Sequence, residues 1–274
     1  MNAPLSSESM STLSETMLIT LWAKAVEYDR PDALIRDAVA ADMLKQIDYD
    51  FSIFAKSKMS QPGCCGRAAL FDEEIKRFLA EYPDAVVVQL GAGLDARFER
   101  LGKPAVTAWY DLDLSDVIEV RRHLLPESGN VYLSGSMFDE EWAKTVAAHG
   151  KPVLLVIEGV LMYFKLAEVQ AFFAMIGRLL PRVSVIFDMV PTIAVGRAKH
   201  HDALGKMSKN RPEFEWSLKE PKEMEQWQSG LRVSRVLFLS DYCGHRYPWL
   251  FQMIYRTKWG RRVFDQRIIR VDLV

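Results

Sequence analysis

Cysteine is scarce in this chain, and the three present are badly placed for crosslinking. Cys64 and Cys65 are sequence neighbours, which rarely bridge, and pairing Cys243 with either would leave one thiol over. No disulfide framework is expected, and without a CxxC pair there is no zinc signature. Reduced thiols of this kind fit a cytosolic protein. An excess of one charge is missing too: 35 Lys and Arg face 36 Asp and Glu, a net of −1. Such a balance offers no global pull toward nucleic acid or an anionic membrane. RTKWGRRVFDQRIIR at 256–270 is locally basic with interleaved aromatics, but acids elsewhere compensate it, and it reads as a solvated helix face. Apolar runs such as VLLVI at 153–157 fall far short of the roughly 20 residues that span a bilayer. The N-terminal MNAPLSSESMSTLSETM lacks a basic head followed by an apolar block, so it is no secretory signal. Its Ser and Thr content predicts a frayed arm over about the first ten residues.

What remains is a 274-residue chain, 49% hydrophobic and 26% charged, with no repeat, low-complexity segment or Pro/Gly linker to divide it. It can bury a sizeable core as a single domain over 1–274. Helical spacing of apolar residues marks 14–29 and 33–47, with Pro31 between them. A loop around SQPGCCG then leads to a third helix, RAALFDEEIKRFLAEYP, closed by Pro83. From residue 84 the rhythm changes. Short β-branched runs at 85–90, 105–113, 130–135, 152–159 and 182–190 alternate with helix-like stretches at 94–102, 115–125, 138–149 and 165–180. That alternation predicts a doubly wound, mostly parallel α/β sheet. After a polar stretch over 191–218, PKEMEQWQSG reads as a helix. Strands at 231–241 and 266–274, with a helix near 246–260 between them, are expected to form an antiparallel edge pair in a seven-stranded sheet.

VVVQLGAGLDARF, at 86–98, carries the first chemical signal. An apolar strand runs into Gly91 and Gly93, which tolerate positive φ and remove the Cβ atoms that would block a ligand. The following helix aims its N-terminal amides at the same place. The dinucleotide fingerprint would need a third glycine where Ala96 stands, and Asp95 at the helix mouth would repel a pyrophosphate. A cofactor bearing ammonium and sulfonium cations tolerates that carboxylate, which favours S-adenosylmethionine over a dinucleotide. About 20 residues on, WYDLDLSDV offers Asp111 and Asp113 on one strand face as the acid for ribose hydroxyls; at most one of them meets the ligand, and Asp113 is preferred. Ser136 and Met137, ending the third strand, are candidates to flank an adenine, although Ser-x-x-Asp is also an ordinary helix cap. Glu158 directly follows a fully apolar strand, where a carboxylate is costly without a partner or water, so a role in the site is expected. Tyr163 and Phe164 are candidates for the wall of a substrate pocket.

LWAKAVEYDRPDALI, LGAGLDAR, YDLDL and EGVLMYF together resemble the S-adenosylmethionine-dependent methyltransferase family that unites leucine carboxyl methyltransferases with tetracenomycin-type polyketide O-methyltransferases. The resemblance covers about residues 14–240. It implies S-adenosylmethionine as cofactor, with Lys24 near it, Arg67 on the methionine carboxylate, Gly91 in the cofactor loop, Asp113 on the ribose and Glu158 near the methionine end. Ser136 and Met137 fall at the adenine-side positions, where the carboxyl methyltransferases carry an acid that Ser136 replaces. Because Lys24 and Arg67 precede the sheet, residues 1–83 would form a helical lid on the cofactor-binding sheet of 84–274, and 191–218 an insertion over the substrate.

Methyl transfer from a sulfonium needs a general base only if the accepting oxygen arrives protonated. His200, His201 and Tyr163 are the candidates; no metal is called for. The expected activity is O-methylation of a small molecule, a polyketide-like phenol or carboxylate. Protein C-terminal carboxyl methylation and a non-catalytic or nicotinamide-binding protein are the alternatives.

Overall fold

The computed structural model describes residues 15–206 and 212–273; the predicted N-terminal arm lies outside them. Three helices come first: α1 (Glu15–Tyr28), α2 (Ala38–Leu44) and α3 (Ser60–Glu81). The second is shorter than its apolar spacing suggests. Asp37 stops it by capping, accepting from the Ala40 amide at 2.9 Å.

The alternating part follows: β1 (Val86–Leu90), α4 (Arg97–Arg100), β2 (Ala108–Asp113), α5 (Ser115–Leu124), β3 (Val131–Ser134) and α6 (Glu141–Ala147). It continues through β4 (Val153–Ile157), α7 (Leu166–Leu179) and β5 (Val183–Met189). The last portion holds β6 (Leu231–Phe238), α8 (Leu239–Cys243), α9 (Trp249–Tyr255), α10 (Lys258–Phe264) and β7 (Arg267–Leu273). The seven strands form one sheet in the order β3-β2-β1-β4-β5-β7-β6. β1 to β5 pair in parallel, whereas β7 inserts antiparallel between β5 and β6. The expected doubly wound sheet with an antiparallel C-terminal pair is what the chain forms.

Alternation along the strands sorts the core into two layers. Val86, Val88, Leu90, Leu155 and Ile157 face α6 and α7, packing on Trp142, Phe172 and Phe173. Val87, Leu154, Val156 and Ile186 face the other way, against Phe71, Ile75 and Phe78 of α3. A third cluster caps the carboxyl edge of the sheet, joining Leu18, Leu21 and Trp22 of α1 to Leu94, Met162, Val190 and Phe214. Strand order reverses between β1 and β4, which opens the crevice where ligands bind in such sheets.

Several local expectations fail for identifiable reasons. SQPGCCG is not a loop but the opening turns of α3. Pro62 sits near the helix start, where a missing N–H costs nothing. Gly66 is needed by packing: a Cβ there would lie 2.6 Å from Cys243 Sγ. The helix near 246–260 is two helices, because Thr257 caps α10 by accepting from the Gly260 amide at 2.9 Å. PKEMEQWQSG holds only a 3-10 stretch, Pro221–Gln226, and the strand expected over 231–241 ends at Phe238, where α8 begins. The polar 191–218 segment contains short 3-10 turns at Thr192–Ala194, Ala198–His200 and Leu204–Lys206. Among the described residues no helix is long and apolar enough to cross a membrane.

Candidate active site

The loop after β1 is held open by backbone geometry. Gly91 and Gly93 have φ of 68° and 51°, and the Gly91 and Ala92 amides donate to Leu112 O of β2 at 2.9 and 3.1 Å. The Gly93 amide donates to Asp113 Oδ2 at 2.7 Å, and the Leu114 amide to Oδ1 at 2.8 Å. Each Asp113 oxygen therefore keeps lone pairs for a ligand at the strand end. Burial raises its carboxyl pKa more than these amides lower it. Asp111 is different. It is 0% exposed and accepts from Arg121 Nη2 at 3.0 Å, Asn130 Nδ2 at 2.5 Å and Trp109 Nε1 at 3.1 Å. A ribose cannot reach it, which corrects the alternative that placed it on the ligand. Its task is indirect: Arg121, fixed by Asp111, donates from Nη1 to Gly93 O at 2.9 Å and so ties down the loop.

Below the crevice lies a buried network of charges. Arg67 of α3 donates from Nε to Glu158 Oε1 at 2.9 Å and from Nη1 to Asp188 Oδ2 at 3.0 Å. Arg97 reaches Asp72 at 2.9 Å, Asp95 at 3.0 Å and Glu158. Arg100 reaches Asp37 at 2.6 Å, Asp72 at 2.7 Å and Asp95 at 2.8 Å, and Lys24 Nζ donates to Asp95 at 2.7 Å. Burial would push the Asp95 carboxyl up, but Arg100, Arg97 and Lys24 outweigh it and hold it well below the ordinary value. Glu158 is likewise lowered against burial by Arg97, Arg67 and Lys24. Asp95 therefore does not stand bare at the helix mouth, as its position in sequence suggests; it is neutralised from below.

Two observations fit this place to S-adenosylmethionine. Five carboxylates (Asp37, Asp72, Asp95, Glu158, Asp188) share four cations (Lys24, Arg67, Arg97, Arg100). The network is short of one positive charge, and a ligand with a sulfonium, an ammonium and a carboxylate brings a net of one. Arg67 Nη2 also has no hydrogen bond among the described residues, and a Cβ on Gly159 (φ 73°) would lie 3.1 Å from it. A guanidinium nitrogen with an open donor beside bare backbone suits a carboxylate.

A cavity of about 730 Å³ opens from Arg67. Ile19, Met162, Val190, Ile193, Leu204 and Phe214 give it apolar walls. Tyr163, His200 and His201 line it as well. Tyr163 stacks on Phe214 with centroids 5.8 Å apart, and burial pushes its phenol pKa up, so it stays protonated. His201 Nδ1 accepts from the Leu204 amide at 3.3 Å, which places the proton of the neutral ring on Nε2. His200 is exposed. Ser136 and Met137 stand apart from this cavity. The Ser136 amide donates to Asp139 Oδ2 at 2.9 Å, the ordinary local cap, and Met137 is packed in the core with its carbonyl accepting from Trp142 Nε1.

Lys24, Arg67, Gly91, Gly93, Asp113 and Glu158 thus gather along one sheet edge, while Asp111 lies beneath it. Asp72, Arg97, Arg100 and Asp188 escaped sequence reasoning. Asp188 carried a readable signal, since, like Glu158, it is a carboxylate near the carboxyl end of an apolar strand. The arginines of α4 had none, because nothing in DARFER shows which carboxylates surround it.

The profile of the family described as leucine carboxyl methyltransferase matches residues 17–177. The tetracenomycin polyketide synthesis O-methyltransferase TcmP of Streptomyces glaucescens is 35% identical over 85% of each chain. An S-adenosyl-L-methionine-dependent methyltransferase of Gibberella zeae is 27% identical, with 89% of this chain and 88% of that one covered. Among solved structures, a duf574 family protein from Streptomyces avermitilis shares the fold at a TM-score of 0.61 and 9% identity, covering 97% of this chain and all of the other.

Proposed function

The chain belongs to the leucine carboxyl methyltransferase family and is an S-adenosylmethionine-dependent methyltransferase, and from that premise we propose that it methylates an oxygen of a small, largely apolar acceptor. The observation that carries this reading is the apolar cavity of about 730 Å³ opening at Arg67. Such a volume suits a multi-ring small molecule. The similarity to TcmP, an O-methyltransferase of tetracenomycin polyketide synthesis, supports a polyketide-like acceptor.

The bound cofactor supplies a methyl group already activated on a sulfonium. The chain's residues have then to align the acceptor and keep water out. In this reading Asp113 accepts from the ribose hydroxyls, while Arg67 Nη2, with the spare donors of Lys24, holds the methionine carboxylate. Glu158 and Asp188 keep Arg67 in place, and α1 with 191–206 closes the site as lids. Neither His201 nor Tyr163 is placed to take a proton from the acceptor. His201 presents Nε2–H, a donor, and Tyr163 is held as the neutral phenol. An acceptor arriving as an anion, a carboxylate or an acidified phenol, needs no base. The three free thiols fit a cytoplasmic setting.

The family's description favours a second reading, methylation of a protein C-terminus. Both are tested by incubating the protein with methyl-labelled donor and polyketide acids, phenols, or peptides ending in leucine. Label on the small acids or phenols is expected, alkali-labile for an ester and alkali-stable for an ether. Label on the peptides alone, or on nitrogen or carbon, would overturn the proposal.

A further inference from the structure

Residues from 239–266 add a lobe to the lining of this cavity, beyond the 17–177 region that the family profile matches. Tyr247, Phe251, Tyr255 and Phe264 present rings there. Tyr247 and Tyr255 have centroids 5.8 Å apart, and Phe251 and Tyr255 6.2 Å. Asp265 lines the same cavity and is only 1% exposed. Its oxygens accept from the Ser240 amide at 3.2 Å and Ser240 Oγ at 2.5 Å. It forms no ion pair with any described residue. Of the cations nearby, Arg261 pairs with Asp241 and Arg262 with Glu220, while Arg267 donates to the carbonyls of Leu218 and Lys219 and meets the Asp265 charge only through space.

A buried carboxylate without an ion-pair partner is costly, and aromatic ring faces attract cations. We propose that this lobe binds a cationic nitrogen, so that the acceptor carries an amine beside its largely apolar body. The assignment of that amine to the acceptor rests on the methyltransferase reading; the lobe's own preference does not. Burial pushes the Asp265 carboxyl up to about 6, consistent with the missing cation, and leaves it ionised at neutral pH. Asp241 adds to that rise and Arg261 opposes it, while Cys243, Tyr247 and Tyr255 all feel the Asp265 charge.

The test titrates benzyltrimethylammonium into the full-length, donor-free protein by calorimetry, with benzyl alcohol as the neutral counterpart. We expect the cation to bind at least about tenfold more tightly than the alcohol, and to weaken as pH falls from about 8 to about 5. Asp265→Asn, which can still accept from the Ser240 amide through its oxygen and donate from Nδ2 to Ser240 Oγ, should lose that preference while binding S-adenosylhomocysteine as before. Tyr255→Leu should weaken the cation as well, and it decides the matter if Asp265→Asn does not fold. Equal affinity for cation and alcohol, or an unchanged preference in the folded variants, would overturn the proposal. Intact S-adenosylhomocysteine binding without that preference would refute this inference alone. Absence of S-adenosylhomocysteine binding and of methyl transfer would instead refute the function proposed above.

Discussion

A carboxylate on a strand can face a ligand or serve as a buried tie, and its neighbours decide which. Asp113 has one amide on each oxygen and stands at the strand end, whereas Asp111 has three donors and no exposure. Replacing Asp113 by Ala should weaken S-adenosylhomocysteine binding by roughly 1–3 kcal/mol, the scale of lost charge-assisted hydrogen bonds, with little change in melting temperature. Arg121→Ala should act first on stability. It leaves Asp111 buried and uncompensated, at a cost in stability of about 3–5 kcal/mol. Chemical denaturation of the two variants separates the roles. Asp265 gives a pH signature. Its folded pKa of about 6 lies above the ordinary 3.8, so the folded state binds the extra proton. Its contribution therefore makes stability fall as pH rises from about 4 through about 6, by on the order of 2–3 kcal/mol. Asp265→Asn should remove that part of the pH dependence, as read from melts across the range.

At the scale of elements, α3 shows how packing overrides local sequence. SQPGCCG has turn composition, yet it is helical because Gly66 lets α3 press against α8. A Cβ on Gly66 would meet Cys243 Sγ at 2.6 Å and Cys243 Cβ at 2.8 Å. Gly66→Ala improves helix propensity by about 1 kcal/mol. Even so, overpacking should leave the protein about 1–3 kcal/mol less stable, a sign that thermal melts would read directly. The strands behaved otherwise. β1 and β4 are buried along their whole length, so their apolar runs mark both their presence and their place at the sheet centre.

For the molecule as a whole, the charge network joins α1, α2, α3, α4, β4 and β5 across the crevice. Ligand binding should therefore be felt as global stability. At 100 times its dissociation constant, S-adenosylhomocysteine should add about 2.7 kcal/mol by linkage. Arg67→Ala should abolish most of that gain while leaving adenosine binding nearly intact, as titration calorimetry with the two ligands would show. It should also lower the unliganded melting temperature, because Glu158 and Asp188 lose their shared cation.

The order of strands and helices, the glycine turn, Asp113 and Glu158 were set by local chemistry: period, positive φ, and a carboxylate at the end of an apolar run. Those signals lie within a few residues of each other and survive without a fold. Which of Asp111 and Asp113 meets the ligand, what neutralises Asp95, why α3 starts at Ser60, and where Asp265 finds its aromatic neighbours were decided by tertiary structure. The partners in each case come from distant parts of the chain, and burial and charge pairing acquire their strength only when folding brings them together.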